Sequence, residues 1–552
     1  MLRTINKLHT NSGRTLALAI TAVISLSAFG QGRLWLNTGN AAGLATYTTD
    51  GSDTLSHYIP STNKAWLGAG VSMGKFHSVD EGKTEYQMGA GAKAAYRLNR
   101  QTVLAGGVSY IHGEKRNAAG SVWFRPQEAP FNITEPSDST RGNKNSDTYN
   151  IWGALSYNVS NAFTLGVGAD FTAANYAKQK DPRQKDNYLD FTISPGFMWR
   201  LGGGFALGLN YTYRRTMENM TFRLAGRQDK VYEYLIDRGA YFGRTETTDE
   251  TGYTDDSFEK PLLDERHGAG LQLEIDFGRA TWLNQLDYYH RHGHYGEESQ
   301  AQIQFSRHSG DGFNYDSWLE FHGRQKDMIH GLQLHVDYEK VTTRERVYRS
   351  ETSETGVTDI HYYGSRESGR WQKGSARLSY QYDPTGEERG YDMLSNQPTA
   401  WSFFADAGYS YRNTTASLYP FYRQQKLHDF GISARAKYVR PVGDVRAGGS
   451  LSLGMLFGGG DKAIDGDCAT PADGQTRPQT PSVLLDRSYE YATATRLNAA
   501  IGVYVYVPVS AGHYPQFRNL TNSLRALRSK PPRMRFLLFK LAFCHVLTDM
   551  IV

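Results

Sequence analysis

The fold is decided by stretches such as residues 162–172, AFTLGVGADFT, in which apolar and polar side chains alternate one by one. Five apolar side chains fall on one side of this stretch, and threonine, glycine and Asp170 fall on the other. Successive side chains of a β-strand point to opposite faces, whereas a helix repeats every ~3.6 residues. The stretch therefore predicts a strand with one apolar face. The same alternation recurs at residues 204–213, 271–277, 332–339, 376–382, 432–438 and 451–455.

Three features of these stretches favour a membrane-spanning barrel over a soluble β-sandwich. Many run for about ten residues or more, the length that a tilted strand needs to cross a bilayer. Their apolar faces end in tyrosines such as Tyr211, Tyr213 and Tyr380, whose rings suit the membrane–water boundary. Short turns alternate with long polar loops, which lie near residues 113–145, 216–264, 340–369 and 457–490. We therefore predict an all-β fold: a transmembrane antiparallel up-and-down β-barrel with long extracellular loops and short periplasmic turns.

The strand count follows from the same segments. Candidate strands lie near residues 65–77, 84–98, 101–112, 147–158, 162–174, 188–200, 204–215, 265–277, 280–292, 315–323, 328–341, 370–382, 400–411, 415–426, 428–440, 445–456 and 492–508. Single-chain bacterial barrels have even strand numbers, so we predict about 16 strands, within a range of about 14 to 18. An array of secreted β-sandwiches is the alternative.

Composition and charge exclude several other classes of protein. Only 39% of the 552 residues are hydrophobic, which excludes a polytopic helical membrane protein with repeated apolar runs of about 20 residues. The net charge of +5 is uneven, because residues 1–30 carry +3 and residues 509–552 carry +6, which leaves −4 for the middle. The basic charge therefore lies at the two ends, and we expect no nucleic-acid partner.

The chain divides into four predicted segments. Residues 1–30 combine a basic start, a short apolar run and the small residues Ala28 and Gly30, which predicts a signal peptide for export. Residues 31–64 are expected to form an N-terminal lead-in or small plug, and residues 65–508 the outer-membrane β-barrel. Residues 509–552 are an atypical basic tail, whose abrupt change of character favours a frameshifted C-terminus over a periplasmic basic helix.

In this order of segments, residues 31–508 resemble a family of uncharacterised outer-membrane β-barrels from Bacteroidota, which are Gram-negative bacteria. The resemblance rests on Trp35-Leu36-Asn37, on Asn40-Ala41-Ala42-Gly43-Leu44, on Gly- and Tyr-rich strands and on long acidic loops. It implies a fold and a location and brings no activity with it. The segment 40–44 is also similar to the NPAGL segment near the start of long-chain fatty-acid transporters, with Ala41 in place of proline, so a hydrophobe importer stays an alternative.

Charged side chains on the polar strand faces are the candidate site residues. In a barrel these faces line the lumen, where charges either cross-link the wall or select solutes. The candidate lumen-lining residues are Asp170, Glu274, Asp276, Asp337, Glu339, Arg377, Arg435 and Lys437. We expect no cofactor, because the sequence holds no motif that would bind one.

A histidine triplet is the one candidate metal site. His290, His292 and His294 are spaced two apart and so share one strand face, which is a spacing that metal ligands use. The three histidines lie on the same strand face as the lipid-facing residues. A position at the outer rim, facing solvent or lipopolysaccharide, is therefore the simpler interpretation. A surface hydrolase is a further alternative that rests on loop acids such as Asp264 and Glu265 with His267 close by. We predict that the protein is not an enzyme.

The predicted function is that of an integral outer-membrane barrel, a porin-like channel or accessory uptake protein for an unknown small solute. The expected partners besides that solute are outer-membrane lipid and lipopolysaccharide and the machinery that assembles barrels. A non-conducting barrel whose loops serve adhesion or surface structure is the second hypothesis. No large plug is evident, so the sequence does not support energised transport.

Overall fold

The computed structural model describes residues 40–48, 62–74, 77–99, 101–136, 138–225, 230–248, 252–255, 258–299, 302–322, 328–352, 358–382, 400–443, 445–506 and 543–548. The predicted signal peptide therefore lies outside the described residues, as do most of the lead-in and of the basic tail. The strands are β1 Thr62–Met73, β2 Thr84–Arg97, β3 Thr102–Ala118, β4 Gly120–Ser121, β5 Asn132–Glu135, β6 Gly142–Asn158, β7 Phe163–Lys178, β8 Arg183–Gly202, β9 Phe205–Arg223, β10 Glu233–Asp237, β11 Gly243–Thr247, β12 Lys260–Asp276, β13 Ala280–Tyr295, β14 Ser306–His322, β15 Met328–Thr352, β16 Thr358–Tyr382, β17 Ala400–Leu418, β18 Phe421–Val442, β19 Val445–Asp467, β20 Arg496–Tyr506 and β21 Phe543–Thr548. Among the described residues, the α-helix α1 spans Ser482–Thr493, and 3₁₀ helices span Ala41–Thr48 and Asp138–Thr140.

Sixteen long strands form one antiparallel meander in which each strand pairs with the next long strand along the chain. The meander runs β1–β2–β3–β6–β7–β8–β9 and continues from β9 to β12 and then in order to β20. This arrangement confirms the predicted transmembrane up-and-down barrel of about 16 strands. The short segment β21 pairs antiparallel with β20.

The two faces of the wall differ as the alternation predicts. Leu209, Leu271 and Leu286 are register partners on three neighbouring strands, and all three side chains are exposed on the outer face. The next residues along, Gln272 and Gln285, point inward and are buried. An outward apolar face and an inward polar face suit a wall that meets lipid outside and encloses a polar lumen.

Several predicted boundaries were wrong, and two differ most from the structure. Residues 415–426 and 428–440 were predicted as separate strands, but residues 415–418 end β17 and Phe421–Val442 is one strand. The two-residue turn between these strands was missed because apolar and aromatic residues continue through it. The predicted loop 340–369 is mostly strand, because β15 and β16 continue to Thr352 and from Thr358.

The long connections gather at one end of the barrel, the long-loop end. The short strands β4, β5, β10 and β11 come from the β3–β6 and β9–β12 connections and form a separate four-stranded sheet in the order β11–β10–β5–β4. We call residues 119–136 together with residues 230–248 the lid. Its central pairing joins Leu235 to Thr134 and Asp237 to Asn132, so two connections remote in sequence form one folded unit.

The helix α1 lies at the same end, in the connection between β19 and β20. The guanidinium Nη2 of Arg487 lies 2.6 Å from Nδ1 of His77, a residue of the β1–β2 connection. This contact brings the first and the last long connections of the meander together. None of the helices among the described residues is long and apolar enough to span a membrane.

Candidate functional site

The lid has an apolar core of its own, packed against the barrel wall. Trp123, Phe131 and Ile133 from its first connection and Tyr234 and Ile236 from its second are buried in one cluster. The wall adds further buried side chains to this cluster, namely Met220, Phe222, Leu262, Tyr295 and Phe305. Burying a large apolar side chain contributes roughly 1.5–3 kcal/mol relative to leaving it exposed. The lid is therefore a packed part of the structure.

Buried ion pairs fasten the lid to the wall. Glu135 of β5 contacts the ammonium groups of Lys144 and Lys178, and all three side chains are fully buried. Lys144 also donates to the carbonyl oxygens of Ala119 and Ser121 at 2.9 and 2.8 Å. Because a buried charge is costly unless it is paired and hydrogen-bonded, these groups fix the position of the lid.

A second fastening lies across the lumen on β15. The guanidinium of Arg238, in the second lid connection, donates to Glu345 at 2.7 Å, and both side chains are almost completely buried. Arg244 of β11 approaches the same carboxylate at 3.2 Å. The lid is thus held from β6 and β7 on one side and from β15 on the other, so it spans the long-loop end of the lumen.

Beneath the lid, four guanidinium groups and four carboxylates form what we call the arginine cluster. Its members are Arg125 and Glu128 from the lid and Asp190, Arg214, Asp264, Arg266, Arg291 and Glu339 from the wall. Arg214 binds Asp190 through two parallel hydrogen bonds of 3.0 and 2.8 Å. Arg291 bridges Asp264 at 2.7 Å and Glu339 at 2.9 Å, and its side chain is only 1% exposed.

The carboxylate of Glu128 is the lid's contribution to this cluster. It lies 3.0 Å from Arg214, 3.4 Å from Arg266 and 3.4 Å from Arg125. Burial alone would raise the pKa of this carboxyl, but the three guanidinium groups outweigh burial and hold the pKa below its usual value. Glu128 is therefore ionised at neutral pH and binds the wall as an anion.

At the opposite end of the lumen, the N-terminal segment 40–44 lies against the inner wall. Asn40 donates to Gln272 at 2.9 Å, and Ser156 donates to the carbonyl oxygen of Ala42 at 3.0 Å. A Cβ atom at Gly166 would lie 2.0 Å from the amide nitrogen of Ala42, so only glycine lets the segment approach β7 this closely. The segment narrows the lumen from below, as the lid does from above.

A cavity of about 400 Å³ lies along β9, β12, β13, β14 and β15 between these two obstructions. The side chains of Arg214 and Arg266 line one part of it, and those of Asp287, Asp316 and His335 line another. Thr212, Tyr289 and Asn314 complete its polar lining. Such a lining can bind solutes by hydrogen bonds and charge, and the tyrosine rings and the carbon atoms of the wall add apolar surface between these groups.

A second cavity, of about 490 Å³, lies along β16 to β20. Hydroxyl and carboxylate groups alternate on its wall: Ser379 and Ser433 donate to Asp406 at 2.6 and 3.0 Å, and Ser410 donates to Asp429. We call these five residues the serine–aspartate wall. Within the described part of the chain, neither of its two carboxylates lies within ion-pair distance of a cation.

The structure places the eight predicted lumen residues on inward-facing strand positions, but these residues do not form one site. Glu339 belongs to the arginine cluster, Arg377 lines the second cavity, and Asp170 accepts hydrogen bonds from Asn150 at 3.0 and 3.2 Å. The remaining five lie elsewhere on the inner surface: Glu274 and Lys437 are buried, Asp276 is exposed at the β12–β13 turn, Arg435 lies over the Phe404 ring, and Asp337 accepts from Ser375.

The histidine triplet lies on the outer face. His290 and His292 are about half exposed, and their neighbours are Asp311 at 2.9 Å and Glu265 at 3.6 Å, whereas His294 contacts the carbonyl oxygen of Gly296. In the described ranges, no group of three or more His, Cys, Asp or Glu side chains is placed to hold a metal ion. The acids considered for a hydrolase are also separated, because Asp264 points into the lumen and Glu265 and His267 point outward.

Sequence reasoning missed the lid and the arginine cluster. Both connections were classed as polar loops, although the first contains Val122, Trp123 and Ile133 and the second contains the run Tyr234-Leu235-Ile236. Such short apolar runs inside long loops were the available signal. No local pattern could pair Glu128 with Arg291, because 163 residues separate them.

Comparisons with known proteins identify a family and no activity. No curated protein matches the chain in sequence. Among solved structures, the outer membrane transporter YddB from Escherichia coli is 7% identical, with a TM-score of 0.35, over 84% of this chain and 68% of that chain. The ferric-catecholate import receptor Fiu from E. coli K12 is 8% identical, with a TM-score of 0.34, over 81% of this chain and 75% of that one.

The FrpB iron transporter from Neisseria meningitidis is similarly distant, at 10% identity and a TM-score of 0.31, over 84% of this chain and 71% of that chain. These similarities are too weak to indicate a substrate for this protein. A family model, in contrast, matches residues 52–537, which is most of the sequence. The protein therefore belongs to a family of unknown function, DUF6850.

Proposed function

We propose that the protein is an outer-membrane barrel for uptake of a small polar solute, closed in its resting state by its own lid. The observation that carries this proposal is the position of the 400 Å³ cavity, which has charged and hydrogen-bonding side chains in its lining and lies between the lid and the N-terminal segment 40–44. A barrel that served only to display loops would have no need of a solvent-sized polar space inside. In this arrangement the long-loop end faces outward, toward lipopolysaccharide, and the barrel enters the membrane through the assembly machinery.

A non-conducting surface barrel is the second candidate function. It is favoured by the apolar core of the lid, since a packed core with buried ion pairs resists opening. The two candidates differ in one measurable property, which is whether the lumen conducts a solute once the lid is loosened.

Swelling of proteoliposomes in solutions of small sugars and amino acids tests this difference. The variant Ile133→Asp places a charge in the lid core, where Ile133 is fully buried, and leaves every barrel strand unchanged. The matched control is Val231→Asp, which adds the same charge at an exposed lid position. We expect faster swelling with Ile133→Asp and wild-type behaviour with Val231→Asp. A folded Ile133→Asp barrel that stays impermeable would overturn the uptake proposal and favour the surface barrel.

A further inference from the structure

One carboxylate of the arginine cluster differs from the other three in origin and exposure. Asp190, Asp264 and Glu339 belong to barrel strands, and their side chains are 11%, 6% and 5% exposed. Glu128 belongs to a lid connection, and its side chain is 35% exposed. It is therefore the member of the cluster that a dissolved anion could replace without disturbing the wall.

The cavity beside Glu128 has a cationic end and an acidic end. Arg214 and Arg266 are register partners on β9 and β12 and line the cavity on the side of the lid. Asp287 is the register partner of Gly270, which lies four positions along β12 from Arg266. At ~3.4 Å per residue, the two ends are about 14 Å apart along the wall.

The wall between the two ends is formed by Tyr289. A Cβ atom at Gly312 would lie 2.3 Å from Cζ of this tyrosine, so glycine at position 312 lets the ring lie against β14. An elongated solute can therefore extend along the ring from the arginines to the aspartates.

We propose, resting on the proposed uptake function, that this cavity binds an elongated solute with an anionic group at one end and hydrogen-bond donors at the other. Glu128 occupies the position of the anionic group while the cavity is empty, and the solute displaces it. The arginines then bind the solute as they bind Glu128, because guanidinium groups recognise any carboxylate or phosphate geometry of this kind. Loss of the Glu128 contact also removes one of the charge contacts that hold the first lid connection to the wall, so binding weakens the docking of the lid.

Isothermal titration of the full chain in detergent micelles tests this proposal. The probes are trialanine, whose donor end is an ammonium, and a glucuronyl-glucose disaccharide, whose donor end is a set of hydroxyls. Trialanine amide and cellobiose are the matching probes without an anionic group. The variant Glu128→Gln keeps the shape of the side chain and removes its charge, and Glu233→Gln removes a charge from an exposed lid position as the control.

We expect Glu128→Gln to bind one of the two anionic probes about tenfold more tightly than the wild type, because one charge-assisted contact no longer competes. Glu233→Gln should behave as the wild type, and the two probes without an anionic group should gain nothing. If only trialanine binds more tightly, the acidic end of the cavity takes an ammonium group of the solute. If only the disaccharide binds more tightly, the acidic end takes hydroxyl groups. No gain with either, or equal gains with the uncharged probes, overturns the proposal.

A second measurement guards against a misfolded variant. In the wild type, a saturating anionic probe should speed hydrogen exchange of the amides in residues 122–131, because the probe displaces Glu128. Unchanged exchange in the presence of bound probe would contradict the displacement. These readouts are independent of passage, so binding without swelling would remove the uptake function and leave the site intact.

Discussion

The arginine cluster and the serine–aspartate wall both place carboxylates on the inner surface of the barrel, but these carboxylates have different partners. In the arginine cluster each carboxylate contacts at least one guanidinium group, and Arg291 serves two of them. On the serine–aspartate wall, Asp406 and Asp429 accept hydrogen bonds from serine hydroxyls. A carboxylate neutralised by arginine holds structure together, whereas one that accepts from hydroxyls keeps its full charge. The arginine cluster therefore fixes the lid, and the serine–aspartate wall sets the electrostatic field of the lumen.

The largest effect should come from removing the arginine that serves two carboxylates. Arg291→Met leaves Asp264 and Glu339 buried beside a side chain of similar length, and we expect the free energy of unfolding to fall by about 3–5 kcal/mol. Urea unfolding of the barrel in lipid vesicles measures this change. The control is Arg377→Met on β16, three strands along the sheet from β13, where the side chain is exposed and the loss should stay below about 1 kcal/mol. Equal losses of unfolding free energy in the two variants would contradict the structural role given to the arginine cluster.

A smaller effect is expected from pH, and it belongs to the lid. Burial raises the pKa of Asp237 from 3.8 to about 6, although the backbone N–H of Gly239 and the charge of Arg412 act against the rise. The folded lid therefore favours the protonated acid. Docking of the lid is strongest below about pH 4 and weakens as the pH rises through about 6, by at most about 3 kcal/mol.

Hydrogen exchange of the β10 amides, corrected for the intrinsic pH dependence of exchange, measures this weakening. Asp237→Asn keeps an acceptor for the N–H of Gly239, which now bonds to Asp237 at 2.8 Å, and it should abolish the pH dependence. Glu233→Gln, at an exposed position of the same strand, should leave the dependence unchanged. Equal protection at pH 4.5 and 7.5 in the wild type would contradict the assignment to Asp237.

The smallest effect on stability should come from the serine–aspartate wall. Asp406→Asn keeps the shape of the side chain and an acceptor for one serine, so we expect a change in unfolding free energy below about 1 kcal/mol. Its effect should appear in selectivity: in the Ile133→Asp background, the reversal potential in a salt gradient should move toward anions. Ser379→Ala, which removes a hydroxyl and no charge, is the control and should leave the reversal potential in place.

The sequence was sufficient for the barrel because the wall obeys a local rule. Alternation in stretches such as 162–172 places Phe171 outside and Asp170 inside without any knowledge of neighbouring strands. The same rule places Glu339 and Arg377 on the inner surface. It does not show where a strand ends, so the two-residue turn between β17 and β18 was missed.

The lid and the charge pairs follow no such rule. Thr134 meets Leu235 because two connections about a hundred residues apart fold over the same opening. Which carboxylate meets which guanidinium depends on strand register and on the path of those connections. The inward direction of Glu339 could therefore be predicted, but its contact with Arg291 could not.

The shared sheet of the lid also fixes an order of events during biogenesis. The pairing of β5 with β10 joins two connections that strands β6 to β9 separate in the chain, so it cannot form before all four strands have been made. Glu135, Lys144 and Lys178 lie within a much shorter stretch of chain, and their buried pairs need only β6 and β7. These pairs can therefore hold β5 in place before β10 arrives, so the lid can be built from its first connection onward.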